Sequence, residues 1–407
     1  MQKCCKKIAI IGAGASGLVC AIEALKRGFE VDVFEQNDRV AKKIIASGNG
    51  RCNISNRHLH VEDYYGEDIE CVKSALLAFD FTAFERFCME AGLLLHVKDD
   101  GRVYPLSNDA KSVASLFESY ARKLGASFFL NCTVSSLSKD TKFALHVEDV
   151  TYTNYDNVVV CSGSLAWPML GVSAIGYEIA KSFGHEIQEL YASLVQLHVE
   201  HLHISKLSGL KMVALVSLYV NGKKEQEIVD DVLFTKYGVS GFAILDISQN
   251  ASYALTNFQS VKIGVNFLPN FDRAKLLHVI NSFCSSEKSV VTMLCGIIPK
   301  KLALTMCEIL EIPKEKSSTQ LNTKEIKKIA SMLNDWRLEI SETHGLKHSE
   351  VSGGGVSLAQ INPKTFESKN SKGLYFCGEV LDVVGKRGGY NLHFAFASGY
   401  SAIKSLK

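Results

Sequence analysis

The 407 residues contain twelve cysteines but no C-x-x-C pair. No metal site is read from such a scatter, and the adjacent Cys4 and Cys5 are taken as incidental. No long apolar segment precedes the first glycines, since residues 1–7 are short and polar. Neither a signal peptide nor a transmembrane helix is expected, so the thiols are expected to be reduced in a cytoplasm. An excess of charge is missing too. There are 45 Lys and Arg against 43 Asp and Glu, a formal net charge of +2. That balance gives no reason to expect nucleic acid or an anionic membrane as the main partner. Internal repeats and low-complexity tracts are absent. The length suits two or three domains, at roughly 100–200 residues each.

What is there begins at 7–35, KIAIIGAGASGLVCAIEALKRGFEVDVFE. Ile8, Ala9, Ile10 and Ile11 form the continuous apolar run of a strand buried on both faces. Gly12, Gly14 and Gly17 follow as G-x-G-x-x-G. The first two permit a sharp turn and close backbone approach to a pyrophosphate, and the third lets a helix pack on the strand. Leu18, Ala21, Ile22 and Leu25 recur at helical spacing, and Gly28 ends the helix. Val31, Val33 and Phe34 make a second strand with Glu35 at its carboxyl end. An acid there accepts hydrogen bonds from a ribose, while the helix start favours the diphosphate charge. Strand, glycines, helix, strand and acid in this order predict dinucleotide binding. The bland alternative is a structural βαβ unit.

Residues 41–56, AKKIIASGNGRCNISN, place Lys43 and Arg51 among Ser47, Gly48, Gly50, Cys52 and Asn53. Their position after the acid favours a loop folded over the ligand rather than a solvated basic loop. A helix is expected over 80–92 with a T-x-x-E capping box at Thr82 and Glu85, and another over 110–124. The strand at 158–161 runs into Ser162 and Gly163, at the end where open α/β sheets bind ligands. The pattern over 191–270 becomes antiparallel β, with Asn221-Gly222 as a hairpin turn. It is helical over 271–340, where a slight excess of Lys and Arg is read as a solvated face. Strand and glycine signals return over 341–407. A ligand domain is thus expected from 1–190 and 341–407, with inserted β (191–270) and helical (271–340) domains.

Taken together, several blocks resemble the bacterial BaiN-type flavoproteins, also described as aminoacetone-oxidase-type enzymes. They are IIGAGASGL, SGNGRCNISN, GRVYPLS, FTKYGVSG, VSGGGV and GLYFCGEVLDVVGKRGGYNL. They span nearly the whole chain in the family's order. The resemblance implies FAD on an α/β, Rossmann-type domain formed by both chain ends, with inserted β-barrel-like and helical subdomains. By position, the ADP half would meet the turn from Gly12 through Ala13, Ala15 and Ser16, with Glu35, Gln36 and Lys43. Val134 matches the family's backbone contact to the adenine. The flavin end would meet Gly378, Glu379, Asp382, Gly389, Tyr390, Asn391 and Leu392. Three blocks depart from the family. Residues 171–177 read GVSAIGY for G-S-T-G-D-G-Y, the P-x-L-V-P-L block has no proline, and Lys236 and Phe242 replace His and Pro.

The leading expectation is an FAD-dependent oxidoreductase acting on a small organic carbonyl, enone or amine. Its flavin would be reduced by substrate or by NAD(P)H, although no second G-x-G-x-x-G for a nicotinamide is present. Polar candidates for the chemistry are Arg51, Cys52, Tyr104, Tyr390 and His393. Against these roles, Cys52 could simply fill a packed loop, Tyr104 could be an aromatic wall, and His393 could be a satisfied ring at a helix start. Two other classes stay open: a flavin-bound RNA-modification or interaction protein, and a flavin sensor with little turnover. The near-neutral charge counts against the first.

Overall fold

A computed structural model describes residues 6–285 and 287–406; Cys4 and Cys5 lie outside them. The apolar run Ile8 to Ile10 has no solvent exposure, because Lys7–Ile11 is the middle strand of a five-stranded sheet. Across the sheet the order is Leu374–Phe376, Asn157–Val160, Lys7–Ile11, Glu30–Phe34, Ser127–Phe129, and every pairing is parallel. Strands from both ends of the sequence therefore share one sheet. The helices Ala15–Lys26 and Tyr390–Ser405 also pack on each other. Beyond Phe34, aromatic packing continues the core. Phe34 stacks on Phe129 at 4.9 Å and meets Tyr152 edge-on at 5.0 Å. A three-stranded antiparallel sheet, Val134–Lys139, Phe143–Val147 and Val150–Tyr155, supplies Tyr152.

The helix expected over 80–92 runs Phe81–Glu90, but its cap differs from the expectation. Asp80 accepts from the Ala83 amide at 2.8 Å, and Thr82 lies inside the helix. Aspartate caps as well as threonine does and also favours the helix dipole, so the earlier cap wins.

Residues 191–350 form a second compact unit. It is a closed barrel in the order Leu197–Val199, Gly238–Ser240, Lys223–Phe234, Lys211–Val220, Val261–Asn266, Trp336–Thr343. The Asn221-Gly222 hairpin has φ of 49° and 80°, the left-handed pair that a two-residue hairpin turn requires. Within this unit, Ala243, Ile244 and Ile247 of helix Phe242–Thr256 share a buried cluster with Val216, Leu218 and Phe234.

The expected division of this region needs correction. Helices Arg273–Cys284, Val290–Leu294, Lys300–Ile309 and Thr323–Asn334 leave the barrel after Val261–Asn266. Trp336–Thr343 then returns and pairs with both Val261–Asn266 and Leu197–Val199. The helices are an excursion from the barrel, and the sheet-forming unit resumes at 351 rather than 341. The closing strand alternates buried Trp336, Leu338 and Ile340 with exposed polar residues. It follows a helix directly, which hides its period-two pattern. No helix among the described residues is long and apolar enough to cross a membrane.

Candidate FAD site

The three fingerprint glycines have different surroundings. A Cβ on Gly12, at φ +103°, would lie 2.4 Å from the Cys161 carbonyl oxygen. One on Gly17 would lie 2.0 Å from the Gly12 carbonyl oxygen. Both positions are closed by backbone, so they fix the turn. A Cβ on Gly14 would meet nothing within 4 Å. Gly14 is also the N-cap of Ala15–Lys26, with no side-chain hydrogen bond to the helix start. The first helical bond runs from the Leu18 amide to the Gly14 carbonyl at 3.0 Å, so the ladder does not use the amides of Ala15, Ser16 and Gly17. Ala15 and Ser16 are buried. An open cradle at Gly14 in front of uncapped, buried amides fits a diphosphate.

Glu35 closes one side of this turn. Its Oε2 accepts from the Ala13 amide at 2.8 Å. Its Oε1 accepts from the Asn37 amide at 2.9 Å and from Asn37 Nδ2 at 2.7 Å. The carboxylate is thereby oriented beside the glycine turn, with acceptor capacity left for a ribose. Gln36 donates to the Gly171 carbonyl. Val134 is buried at the start of its strand.

The two chain ends meet beside the helix start. A Cβ on Gly378, at φ +77°, would lie 2.9 Å from Ser16 Oγ. Lys43, expected at the ADP half, forms an ion pair with Glu379, expected at the flavin end. Glu379 also accepts from Ser164 Oγ at 2.9 Å and the Ser352 amide at 3.1 Å. Ser164 and Ser352 were missing from the sequence-derived set. They lie far from 379 in sequence, and no spacing rule points to them. Asp382 is buried and accepts from the amides of Gly354 (3.1 Å) and Glu67 (3.3 Å). Burial raises its pKa above the usual carboxylate range.

The 47–53 loop is built from left-handed residues, with φ of 58° at Gly48, 55° at Asn49, 80° at Gly50 and 60° at Cys52. Ser47 donates to the Ile44 carbonyl at 2.7 Å. With its amide oriented to satisfy its neighbours, Asn53 donates to the carbonyls of Val103 and Ser55 and accepts from the Gly389 amide at 3.3 Å. This joins the loop to the start of Tyr390–Ser405, a helix that no side chain caps. A Cβ on Gly389 would sit 2.2 Å from the Ser55 carbonyl oxygen. Asn391 turns back onto Gly385, bonding both its amide and its carbonyl at 2.8 Å, and Leu392 is half-buried. At the other strand end, a Cβ on Gly176 would lie 2.1 Å from Ser162 Oγ, while one on Gly163 would meet nothing within 4 Å.

The five polar candidates separate by environment. Arg51 is exposed, its guanidinium 5.8 Å from the Tyr104 ring. Tyr104 is buried, with Lys98 over the same ring at 4.8 Å. Tyr390 is half-buried and meets Tyr64 edge-on at 5.9 Å. The other two are enclosed. Cys52 is fully buried, and burial pushes its thiol up to about 12, so it is not a ready thiolate. His393 is fully buried, with Ser55 Oγ 2.8 Å from Nδ1 and the Phe79 carbonyl 2.9 Å from Nε2. Burial lowers its pKa to about 4. Both ring nitrogens have partners within the protein.

A glycine turn before an uncapped helix start, an acid at the end of the second strand and a Rossmann unit closed by the far end of the chain are the frame of an FAD-dependent oxidoreductase. Within that class, the chain belongs to the HI0933-like Rossmann family, which matches residues 6–405. It is 32% identical over 400 residues to the 3-dehydro-bile acid delta(4,6)-reductase of Clostridium scindens, covering 97% of this chain and 98% of that protein. It is 30% identical over 404 residues to the ribosomal RNA dihydrouridine synthase of Haemophilus influenzae, covering 98% and 97%. Among solved structures, 3-ketosteroid delta1-dehydrogenase from Sterolibacterium denitrificans shares the fold, with a TM-score of 0.52 at 10% identity and 98% of each chain covered.

Proposed function

We propose that the chain reduces a carbon–carbon double bond conjugated to a carbonyl. The observation that carries this reading is the pair of full-length relatives. The Δ4,6 double bonds of a 3-dehydro-bile acid and the C5=C6 bond of uracil differ in their frame, but both are carbon–carbon unsaturation in conjugation with a carbonyl. Held by the residues of this site and first reduced by two electrons from an external donor, the flavin of FAD would supply a hydride for the carbon β to that carbonyl, with a proton for the α carbon. The chain's own residues hold and orient. The amides at Ala15 to Gly17 take the diphosphate, Glu35 the ribose, and the start of Tyr390–Ser405 favours negative charge at the flavin end. Arg51 is the exposed cation suited to a carbonyl oxygen, and Tyr390 the hydroxyl suited to a proton.

NAD(P)H is the proposed reductant. Anaerobic addition of NADH or NADPH to the yellow protein should bleach its visible flavin absorbance, and a conjugated enone or a uridine-containing RNA should restore it. Bleaching by neither nicotinamide removes that donor. A photoreduced protein that neither substrate class reoxidises sinks the alkene reading itself.

One observation favours the RNA substrate. Arg273, Thr323, Lys324, Lys327, Lys328 and Ser331 line one groove on the helical excursion. The excess of cations over 271–340 is thus partly gathered rather than spread over a solvated face. Among the described residues, no carboxylate forms an ion pair with Arg273, Lys324 or Lys327. Such a groove suits a phosphate backbone. The double variant Lys324→Glu/Lys327→Glu should lower the slope of log Kd for RNA against log salt by roughly 2. Its enone turnover should be unchanged. An unaltered slope removes the groove from RNA binding.

A further inference from the structure

Behind the FAD cradle, three thiols converge. Cys20 lies on helix Ala15–Lys26, Cys161 follows strand Asn157–Val160, and Cys377 follows strand Leu374–Phe376. Their Sγ atoms all lie within 4.8 Å of one another, and all three residues are buried. None is in a disulfide. The thiols' other contacts are weak. Cys20 reaches the Gly399 carbonyl at 3.5 Å, and Cys377 the Ser398 carbonyl at 3.7 Å.

We propose that Cys20, Cys161 and Cys377 form a three-coordinate site for one soft monovalent cation of the Cu(I) class. Three sulfurs about 2.3 Å from a central ion stand about 4 Å apart, so the present spacing needs only a small contraction. Thiolate sets select soft ions. Among the described residues no histidine or carboxylate joins the cluster, so the fourth ligand that tetrahedral Zn²⁺ takes is lacking. The ion would tie together the segments that carry Gly12 to Gly17, Ser162 and Gly378. With no exposed entry, it would be taken up as the chain folds.

The test uses the FAD-loaded chain carrying Cys132→Ser, Cys284→Ser and Cys295→Ser, which removes the thiols that are not buried among the described residues, together with Cys4→Ser and Cys5→Ser. Purified from copper-supplemented cells and washed with a Cu(I) chelator, it should retain one copper per chain. X-ray absorption should give sulfur-only, three-coordinate copper. Adding Cys161→Ala should abolish retention, with Cys20→Ala as the second variant if the first does not fold. No copper after the wash, nitrogen or oxygen ligation, or full retention in either alanine variant overturns the proposal.

Discussion

Replacing Gly14 with aspartate should give a folded, colourless protein. Gly14 has φ −80° and ψ −163°, a backbone conformation open to any residue, and a Cβ there meets nothing within 4 Å. Aspartate is among the best N-caps, and this helix has no side-chain cap. The variant should therefore be as stable as the parent, or about 1 kcal/mol more so. Its carboxylate, however, would take the helix-start amides and stand where the diphosphate belongs. Two like charges about 4 Å apart repel by about 4 kcal/mol in a partly screened site. Even half of that is more than a tenfold loss, and the lost amide hydrogen bonds add to it. The expected result is at least about a hundredfold weaker FAD binding with an unchanged or raised Tm, read by flavin absorbance and thermal unfolding. A yellow variant of normal affinity would show that the diphosphate lies elsewhere. Gly17→Ala cannot serve this purpose. Its Cβ would be driven to 2.0 Å from the Gly12 carbonyl oxygen, so loss of FAD could not be told from loss of the turn.

Local geometry made the strand, turn and helix of 7–35 legible in the sequence. A buried strand, a glycine turn and an amphipathic helix are fixed by neighbours in the chain, and Glu35 follows at the spacing the second strand dictates. Twofold alternation and an Asn-Gly turn likewise disclosed the β insert. What escaped was set by distant partners. The barrel closes through Trp336–Thr343, whose two neighbouring strands come earlier, the nearer of them four helices before it. The anchoring of Glu379 by Lys43, Ser164 and Ser352 joins four separate segments. Each of the three buried cysteines looks incidental in sequence, because no local spacing relates 20, 161 and 377. His393 was ambiguous for the same reason. At the start of a helix facing a ligand, an imidazole can be a proton donor or a packed ring. Only Ser55 and Phe79, contributed by remote segments, decide it.

That decision has a thermodynamic consequence: the FAD-binding unit should lose stability in mild acid, and His393 should account for much of the loss. The Phe79 carbonyl can only accept, so Nε2 carries the proton and Nδ1 accepts from the Ser55 hydroxyl. This is the neutral ring, and burial holds its pKa at about 4 in the folded chain. In the unfolded chain the value is about 6.5. The unfolded state therefore takes up a proton first, and stability falls as the pH drops through this window. The contribution is fully present above about pH 6.5 and gone below about pH 4. The difference of about 2.5 units corresponds to roughly 3 kcal/mol for a fully buried group. His185, whose pKa burial also lowers, adds to the fall in the same direction, so the wild-type curve alone does not isolate His393. A His393→Leu variant does. Near neutral pH it should be about 2–4 kcal/mol less stable, because it orphans the buried Phe79 carbonyl and leaves the buried Ser55 hydroxyl with only the Asn56 carbonyl at 3.3 Å. Toward pH 4 that deficit should shrink by most of the 3 kcal/mol, since leucine has no proton to gain. Urea unfolding of both proteins between pH 7.5 and about 4 measures the two curves. A deficit that stays constant across the window would place the titration elsewhere. If the variant does not fold, the imidazole resonances of wild-type His393 still decide the matter, because titration near 6.5 in the folded chain contradicts the buried neutral ring. His393 and Ser55 tie the start of Tyr390–Ser405 to the loop that carries Asn53. Protonation that breaks this tie should release FAD in the same pH window, so flavin loss and unfolding should be coupled in acid.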